Sequence, residues 1–534
     1  MLVSRVGVGP LFVADRSKCV TQFRGEVSRL LRHPAVVPVA LVVFMVGGGL
    51  LRLSVAQQDL FADELATYWV VTTRSLSGLV RTITTTAEIT PPFSFMLSWF
   101  TAKLGHSPVM IRLPALVAGI ASIPLVYAVG VRTVGRGAAL VATALTTLSP
   151  FMIYYSAEAR GYGVLMALLL LSTLCLLQGV DSDGRRWWVG YGFFVLLAAY
   201  THYTALFVLA VQFGWVFWVY RGKRWPLVVS TAVAVVAYLP WLPSLSGDLD
   251  SDTTRILSGL SPFTPEWVRL TLSHWSIGFP YALFRSGIDV VPGVPALCLL
   301  AAGIAVGAWG MFTMRSRLGP WFAARYKTRI VLVVLLALAT PVGAALQSAV
   351  GTNVFSVRPL AGSWPYLALM VAALITVGQP AVRYTSSLLV VGAFALGAWN
   401  LQDINLQRPH FSQLANFAKT YPGAVVVDGY AVTPGPLSNL DVEGVVAIRL
   451  NVPEQRVKPF GLFMERPDPA EVAARAVAEA DGRPIILISG DPSLPVASQF
   501  QKFLPPEYVL TKTESARGLL DLQAFVYERA PTNG

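Results

Sequence analysis

Residues 35–64 read AVVPVALVVFMVGGGLLRLSVAQQDLFADE, an apolar run of twenty residues followed within ten residues by an acidic pair. About 17 to 25 apolar residues cross the hydrocarbon layer of a membrane as a helix. The pattern therefore predicts a first span over residues 35–54, with Asp63 and Glu64 just beyond its end. Carboxylates at a membrane surface are costly to hold in an apolar chain unless they serve a function, so we take this pair as the candidate reactive centre.

The composition of the whole chain predicts an α-helical polytopic membrane protein. Of the 534 residues, 54% are hydrophobic and only 13% are charged, and the mean hydropathy is +0.58. Soluble chains of this size are less apolar. Runs of spanning length recur as far as residue 400. We predict about eleven spans, at 35–54, 109–131, 138–155, 162–180, 187–201, 203–220, 226–245, 292–313, 330–350, 359–378 and 384–400.

Basic residues set the predicted orientation. Lys and Arg cluster before the first span and in alternate short loops, and the positive-inside rule places these segments in the cytoplasm. Residues 1–34 are then a cytoplasmic N-terminal segment, 35–402 a transmembrane domain and 403–534 an extracytoplasmic domain. The loop 55–108, which carries the acidic pair, lies outside. We predict a multi-pass plasma-membrane protein whose first apolar run is a signal anchor rather than a cleaved signal peptide.

The segment 403–534 differs in character from the rest of the chain. Short apolar strands alternate there with amphipathic stretches, and this order predicts a small α/β domain with a partly parallel sheet. The predicted strands cover 424–428, 445–450, 484–489, 508–511 and 522–527, and the predicted helix covers 469–480. No phosphate-binding loop or dinucleotide fingerprint occurs in this segment. We therefore expect a packing or acceptor-docking module without chemistry of its own.

The distribution of charge indicates which partners to expect. The formal net charge is +12, but from residue 402 onward 12 Lys and Arg stand against 15 Asp and Glu, so the basic excess belongs to the membrane part. Basic loops of that kind face anionic lipid, and no nucleic-acid-binding motif is visible. We predict membrane lipid as a partner and exclude nucleic acid. Cys19, Cys175 and Cys298 lie in cytoplasmic or spanning segments, so no exported disulfide framework is expected.

Two segments of the loop 55–108 predict helices that lie flat in the membrane interface. Apolar residues recur at helical spacing over 76–83, and the apolar segment 93–104, which follows Pro91-Pro92, is too short to span. Around the acidic pair, two such helices would form a cradle for a lipid-linked substrate. The alternative is that the two acids cap the helix that follows them.

A second polar segment, YYSAEARGY at residues 154–162, lies between the third and fourth predicted spans. Charged residues at span ends commonly reach toward the interface, and Glu158 and Arg160 are candidates to pair with one another. A guanidinium beside tyrosines also suits a phosphate diester, which it binds through two parallel hydrogen bonds. The sequence leaves both interpretations open.

Seven short motifs occur along the chain in a recognisable order: Asp63-Glu64, Pro91-Pro92, Arg112-Leu113-Pro114, Ser149-Pro150, residues 155–162, Tyr200-Thr201-His202-Tyr203 and Leu239-Pro240-Trp241. In this order the chain resembles the GT-C-class membrane glycosyltransferases, specifically the family 39 group that includes bacterial aminoarabinose lipid A transferases and protein O-mannosyltransferases. The resemblance covers roughly residues 35–400. It implies a GT-C fold and the transfer, with inversion, of a sugar from a polyprenyl-phosphate donor to an acceptor outside the membrane. Related sequences carry Arg-Tyr in a late outer segment, whereas Arg358 is followed by Pro359 here, and this departure makes Arg358 a weaker phosphate-ligand candidate than Arg160.

The chemistry of such a transfer assigns roles to individual residues. Deprotonating the acceptor hydroxyl requires a base near the anomeric carbon, and we assign this role to Asp63, with Glu64 orienting the acceptor or Asp63 itself. The leaving polyprenyl phosphate is already a stable anion, so cationic side chains suffice to stabilise it. We predict that the donor phosphate is bound by Arg160, Arg358, His202 and Tyr203. We predict further substrate contacts from Pro91, Pro92, Tyr155, Glu158 and Tyr162.

Two other classes of function stay open at this point. A translocator of lipid-linked glycans would line a path with its charges, and a non-catalytic subunit of an envelope glycan assembly complex would catalyse nothing. Charges near span ends and the lack of an internal repeat favour the transferase, with an envelope glycan, a lipid or a protein as acceptor. We predict no cofactor and no metal ligand. A divalent cation at the acidic pair is the alternative, although two adjacent carboxylates supply few ligands.

Overall fold

The computed structural model describes residues 35–61, 63–73, 75–85, 88–182, 184–249, 262–280, 287–314, 327–428, 447–449, 469–489, 496–519 and 521–530. The predicted cytoplasmic segment 1–34 lies outside these residues. Helices make up most of the described chain, and one mixed β-sheet lies toward its carboxyl end. The expectation of a mainly helical membrane part is therefore met.

The described residues form twenty α-helices, linked in places by single turns of other helical types. The helices are α1 (Val36–Ala56), α2 (Asp63–Thr73), α3 (Leu76–Thr85), α4 (Phe93–Ala102), α5 (Pro108–Thr133), α6 (Arg136–Leu148), α7 (Pro150–Ser156), α8 (Tyr162–Asp181), α9 (Arg185–Ala199), α10 (Ala205–Val219), α11 (Arg224–Tyr238), α12 (Leu242–Leu249), α13 (Pro265–Ser276), α14 (Val294–Thr313), α15 (Lys327–Val350), α16 (Trp364–Ile375), α17 (Pro380–Asn400), α18 (Phe411–Ala418), α19 (Pro469–Ala480) and α20 (Val496–Phe503). Short 3-10 helices cover Arg221–Lys223, Leu239–Trp241, Arg358–Ser363 and Ile404–Leu406, and a π turn covers Asp289–Gly293.

Eight helical segments of the described chain are long and apolar enough to cross a membrane. The pair α6 and α7, bent by 60° at its break, would be a ninth. Each of the eleven predicted spans coincides with one of these segments or with α9 or α10, which have 15 residues each. A helix of that length rises about 22 Å, less than the ~30 Å of the hydrocarbon layer. The multi-span helical fold is thus confirmed, while the count of eleven stays a prediction.

Arg52 of α1 is fully buried beside the bend between α6 and α7. Its guanidinium donates hydrogen bonds to the carbonyl oxygens of Thr146 at 3.0 Å and Thr147 at 3.3 Å. These carbonyls lie in the last turn of α6, where helical partners run out and Pro150 supplies no N–H. A further bond of 3.0 Å joins Arg52 to the carbonyl of Gly48, one turn earlier on α1. A buried arginine thus supplies hydrogen bonds to backbone carbonyls that lose their helical partners at a break in a helix, inside the apolar part of the protein.

Helix α8 lies at the centre of the bundle, with nearly all of its side chains buried. It packs against α5 on one side and α9 on another. The approach to α5 depends on Gly163, where a Cβ atom would stand 2.9 Å from the carbonyl oxygen of Ala115. This close packing brings the amino end of α8 against the amino half of α5. The polar segment before α8 is thereby placed next to the acidic pair.

The helices of the loop 55–108 pack on one another and against the bundle. Helices α3 and α4 occupy the two segments that the sequence predicts to be helical, and α2 begins at the acidic pair. Their buried side chains, including Val70, Leu79 and Phe95, form one apolar cluster with Trp241. The loop is therefore an ordered layer above the candidate site, although its depth in a membrane stays a prediction.

Five strands form the sheet: β1 (Val425–Asp428), β2 (Ala447–Arg449), β3 (Ile485–Ser489), β4 (Tyr508–Ala516) and β5 (Leu522–Arg529). Their order is β2-β1-β3-β5-β4. Strand β1 pairs in parallel with β2 and β3, whereas β5 pairs antiparallel with β3 and β4. Helices α19 and α20 cover one face and α18 covers the other. The predicted strands and partly parallel pairing are observed, but β4 extends five residues beyond its predicted end.

The sheet is joined to the membrane part through the end of α1. Phe61 is buried in the same apolar cluster as Phe411 and Leu414 of α18. Nearby, the backbone N–H of Ser412 donates to the carboxylate of Asp59 at 2.8 Å. The side-chain carbonyl of Gln58 accepts the N–H of Arg408 at 3.1 Å. These contacts hold the carboxyl-terminal part of the chain close to the exit of the first span.

Replacing the buried arginine of α1 tests its structural role. We expect Arg52→Met to lower the melting temperature of the detergent-purified protein, because two carbonyls of α6 lose their partner, at a cost of about 1–3 kcal/mol for each unsatisfied group. Thermal unfolding followed by tryptophan fluorescence measures the change. The exposed Arg383 at the start of α17 supplies the control, since Arg383→Met should leave the melting temperature almost unchanged. Equal melting of the two variants would contradict the assignment.

Candidate functional site

Asp63 is the first residue of α2 and forms an ion pair with Arg358, the first residue of the 3-10 helix before α16. Both side chains are partly exposed, at 23% for Asp63 and 22% for Arg358. Burial alone would raise the pKa of Asp63. The charges of Arg358 and Arg160 outweigh it, however, and hold that pKa below its ordinary value of 3.8. The carboxylate is therefore ionised at neutral pH and partly accessible at the protein surface.

Glu64, by contrast, is buried, with 1% of its side chain exposed. Arg112 binds both of its carboxylate oxygens, through Nε and Nη2 at 2.7 Å each, and Nε of Arg408 lies 2.9 Å from Oε2. Backbone N–H groups of Ala159 at 2.8 Å and Phe61 at 3.2 Å complete the set of donors. The bond from Phe61 joins the first turn of α2 to the backbone just before it, as the second bond of a capping box does. Arg112 and Arg408 keep the pKa of Glu64 below its ordinary value despite the opposing effect of burial.

The two arginines at Glu64 also bind backbone carbonyls around it. Arg112 donates to Ala56 and Asp59 at 2.9 Å each, and to Gln58. Arg408 donates to Ala157 at 3.0 Å, and its guanidinium lies 4.3 Å from the centre of the Tyr154 ring. Glu64 with its two arginines therefore ties together the exit of α1, the start of α5, the turn before α8 and the chain after α17.

Arg160 forms a two-point ion pair with Glu88 rather than presenting a free guanidinium. Nη1 and Nη2 each lie 2.9 Å from a carboxylate oxygen of Glu88, which also accepts a hydrogen bond from Thr90. The guanidinium carbon stands 5.4 Å from the ring centre of Phe95. Burial opposes the charge of Arg160, but Glu88 dominates and raises its pKa. Sequence reasoning missed Glu88, although it lies two residues before the Thr90-Pro91-Pro92 motif.

Glu158, Tyr155 and Tyr162 lie inside the same region as Asp63. Glu158 is 1% exposed, and burial raises its pKa above the ordinary 4.5, against the nearby positive charge of Arg358. The Tyr155 hydroxyl donates to the carbonyl of Pro280 at 3.1 Å, and its ring centre lies 5.2 Å from that of Tyr162. The structure thus groups these three predicted substrate contacts near Asp63 and Arg358.

His202 and Tyr203 occupy the turn between α9 and α10. The His202 ring lies 5.3 Å from the Tyr162 ring, and its Nδ1 accepts the backbone N–H of Thr204 at 3.3 Å. Burial and then the charge of Arg160 lower the pKa of His202 to about 4, so the ring is neutral at physiological pH. Tyr203 donates to Asp248 and accepts from the Trp241 indole at 3.1 Å. The Tyr203 hydroxyl therefore bonds to residues just after α11 and in α12.

Pro91 and Pro92 are both buried and lead directly into α4. The N–H of Phe93 donates to the carbonyl of Tyr200 at 3.0 Å, which fixes the start of α4 against the turn after α9. A Cβ atom at Gly161 would lie 3.2 Å from both the Ser94 hydroxyl and the Thr201 carbonyl. The prolines therefore shape the wall beside Arg160. Within the described residues, no group of three His, Cys, Asp or Glu side chains could hold a metal ion.

Comparison with known proteins agrees with the resemblance seen in the sequence. Residues 90–243, less than a third of the chain, match the family described as dolichyl-phosphate-mannose-protein mannosyltransferase. The crystal structure of ArnT from Cupriavidus metallidurans bound to undecaprenyl phosphate is similar at a TM-score of 0.54 and 14% identity, covering 92% of this chain and 97% of that one. The apo state of the same protein gives 0.54 and 13%, covering 91% and 96%. No curated protein sequence matches the chain.

These similarities confirm the GT-C fold that the resemblance implies, and with it a multi-pass membrane protein. They leave the individual site residues as predictions. The geometry distinguishes the two members of the acidic pair, because the carboxylate of Asp63 is partly exposed and that of Glu64 is enclosed.

The enclosed position of Glu64 predicts a large loss of stability when its charge is removed. Glu64→Gln leaves two buried arginines without their carboxylate, and breaking a buried ion pair in this way costs about 3–5 kcal/mol. Asp63→Asn is the matched control, because its ion pair is partly exposed and should cost about 1 kcal/mol or less. Melting temperatures of the two purified variants, measured side by side, decide the point. Similar stability in both would refute the structural role of Glu64.

The same carboxylate predicts how stability depends on pH. Because the folded protein holds the pKa of Glu64 below its ordinary value of 4.5, its contribution is fully present above that value and is lost as the pH falls through the folded pKa. The wild-type melting temperature should therefore fall on acidification below about pH 4.5. Glu64→Gln should lack this part of the acid dependence. An identical acid profile in the variant would contradict the linkage.

Proposed function

We propose that the protein is a membrane glycosyltransferase that moves a sugar from a polyprenyl-phosphate donor to a hydroxyl of an extracytoplasmic acceptor, with inversion and with Asp63 as the general base. One observation carries this proposal. Of the acidic side chains at residues 63, 64, 88 and 158, only Asp63 is substantially exposed, and it faces a partly exposed arginine. A base and a cation for a leaving phosphate are thus available side by side.

The donor class follows from the fold and from what similar proteins bind. The ArnT structure contains undecaprenyl phosphate, and the matching family is described by a dolichyl-phosphate sugar. The two names share a phosphate carried on a long isoprenoid. In this chain Arg358 is the cation positioned to meet such a phosphate, because it is partly exposed and pairs through a contact that can be exchanged. Arg160 contributes its charge at a distance rather than a direct hydrogen bond, because both of its Nη atoms already bind the carboxylate of Glu88.

The proposed step balances without a covalent enzyme intermediate. The acceptor oxygen forms a bond to the anomeric carbon while its proton passes to the carboxylate of Asp63. The bond from the anomeric carbon to the phosphate oxygen breaks, and its electron pair leaves with polyprenyl phosphate. Attack on the face opposite the leaving group inverts the configuration. The leaving group is stable as an anion, so the step needs cationic stabilisation rather than a general acid.

Arg358 links donor binding to the strength of the base. In the free protein its positive charge lowers the pKa of Asp63, which makes that carboxylate a weak base. A donor phosphate that draws the guanidinium away would let the opposing effect of burial raise this pKa. The base would therefore strengthen only when the donor is bound. This coupling favours transfer to the acceptor over reaction in the empty site.

The other predicted residues take supporting roles in this proposal. Glu64 positions Asp63, because it fixes the first turn of α2 through Arg112 and Arg408. His202 offers a neutral hydrogen-bonding ring rather than a positive charge. The sugar and the acceptor stay open between an envelope glycan, a lipid and a protein. Orientation with the acidic pair outside rests on the positive-inside rule.

Substitution of the proposed base tests catalysis directly. Asp63→Asn should lower the rate at which polyprenyl phosphate is released from a polyprenyl-phosphate sugar by about two to four orders of magnitude, because proton abstraction is lost. The measurement uses purified protein, a panel of donors and an envelope acceptor fraction. Glu507→Gln, an exposed carboxylate in the carboxyl-terminal part, is the control and should retain full activity.

Two results would count against the base. Full activity of Asp63→Asn would remove it from the mechanism. If the wild type turned over no donor while donor binding and folding were verified, a translocator or a subunit of an assembly complex would replace the transferase. Those two alternatives predict no dependence of chemical output on Asp63.

The pH dependence of kcat/KM tests the role of Arg358. The wild type should lose activity on the acid side only below about pH 3.8, because Asp63 must be ionised and its pKa is held below that value. Arg358→Gln removes the largest opposing charge, so the acid limb should move to higher pH, whereas Arg358→Lys should leave it nearly in place. If the acid limb of the profile did not move in Arg358→Gln, Arg358 would not control the pKa of the catalytic base. The comparison uses the shape of the profile, which a uniform loss of rate does not change.

A further inference from the structure

A basic cavity lies at the end of the bundle opposite the candidate site. It has a volume of about 530 Å³, and its lining includes Arg132, Arg136, Arg329, Asp181 and Gln178. Arg132 and Asp181 lie at the carboxyl ends of α5 and α8. Glu64 and its partners meet the amino ends of the same helices. Twenty residues of helix separate Arg112 from Arg132, which corresponds to about 30 Å along the axis.

The charges of this cavity are not balanced. Asp181 pairs with Arg329, which also donates to the carbonyl of Arg132 at 3.1 Å. Among the described residues, neither Arg132 nor Arg136 forms an ion pair with a carboxylate. Arg136 is exposed, and Arg132 donates to the carbonyl of Ala128 at 3.0 Å, one turn back on its own helix, and faces the neutral side-chain amide of Gln178. Three arginines and one carboxylate leave the lining with a net charge of +2.

The position of the cavity indicates what it meets. Its lining residues lie at the ends of four helices, α5, α6, α8 and α15. Helices α5, α8 and α15 are candidate membrane spans, and α6 is part of the bent pair. Helix ends of this kind lie at the level of lipid headgroups. Basic pockets between membrane helices on the side with the positive loops bind anionic headgroups. Guanidinium groups suit such ligands because they offer paired N–H donors to phosphate oxygens.

We propose that this cavity binds the phosphate group of an anionic phospholipid, with Arg132 and Arg136 as its principal ligands. The pair between Arg329 and Asp181 completes the lining and holds the third guanidinium against the carbonyl of Arg132. Bound lipid would bridge α5, α6 and α15 and so stabilise the bundle at this end. The proposal does not depend on the activity at Asp63, which lies at the other end of the same helices.

Lipid retention and lipid-dependent stability test the proposal together. The full-length protein is purified in neutral detergent and given phosphatidylglycerol, phosphatidylcholine or inorganic phosphate. Native mass spectrometry counts retained lipids, and thermal unfolding gives the melting temperature. For the wild type we expect phosphatidylglycerol to raise the melting temperature by several degrees and phosphatidylcholine to have little effect. The Arg132→Gln/Arg136→Gln double variant should retain one phosphatidylglycerol fewer and lose more than half of the shift.

Matched variants separate this site from general attraction of anionic lipid to a basic protein. Arg185 and Arg186, at the start of α9, are exposed and do not line the cavity. The Arg185→Gln/Arg186→Gln variant removes the same number of charges and should behave as the wild type. Because Arg132 is partly buried, Arg136→Gln alone serves as a second test in a residue with an exposed side chain. It should give a smaller loss in the same direction.

The outcomes are distinct. Equal retention of phosphatidylglycerol in the cavity variants and the wild type overturns the proposal, as does an equal loss in the Arg185→Gln/Arg186→Gln control. Stabilisation by inorganic phosphate that disappears in the cavity variants supports the phosphate site but identifies its ligand as a free phosphate compound rather than a lipid. The absence of any shift with all three probes also overturns it.

Discussion

The described structure depends on one buried carboxylate held between two buried arginines. Glu64, Arg112 and Arg408 are each almost completely enclosed, and an unpaired charge in such surroundings costs several kcal/mol. The three segments that carry them cannot separate without exposing or orphaning a charge. The exit of α1, the start of α5 and the chain beyond α17 are therefore fixed together. Asp63 follows from this constraint, because neighbouring residues of a helix point about 100° apart, and burying Glu64 turns Asp63 toward the partly exposed side.

Much of this architecture could be predicted from the sequence because it is local. Long apolar runs predict the spans, and alternating short strands predict the sheet near residues 425–529. The sequence also singled out Asp63, Arg160 and Arg358, and the structure places the charges of both arginines near Asp63, although their functional roles stay predictions. The sequence could not show which distant charged residues pair with one another. Glu88 and Arg160 are 72 positions apart and Glu64 and Arg408 are 344 apart, and no local pattern indicates which distant charge neutralises which.

The pairing also changes what the acidic motif means. In the sequence, Asp63 and Glu64 are two equivalent carboxylates, and either a catalytic pair or a helix cap explains them. In the structure the two carboxylates have different partners, because Glu64 accepts the N–H of Phe61 while Asp63, the carboxylate proposed to react, faces Arg358. A similar division applies to the arginines. Arg52 satisfies the backbone at a broken helix, Arg112 completes the enclosed carboxylate, and only Arg358 keeps a partly exposed guanidinium beside the carboxylate proposed to react.

The balance of charge around Asp63 limits how a phosphate can enter. Four of the carboxylates there, at 63, 64, 88 and 158, interact with four arginines, at 112, 160, 358 and 408. In the proposed reaction a donor phosphodiester adds one negative charge, so we expect its binding to be accompanied by proton uptake or by the exchange of one carboxylate for phosphate at an arginine. Glu158 is the group whose pKa burial has raised, and it is the natural place for a proton. Exchange at an arginine is least costly where the existing pair is partly exposed, because water can solvate the released carboxylate. Both considerations support the proposal that the donor phosphate binds at Arg358 and that Asp63, released from its partner, then meets the acceptor.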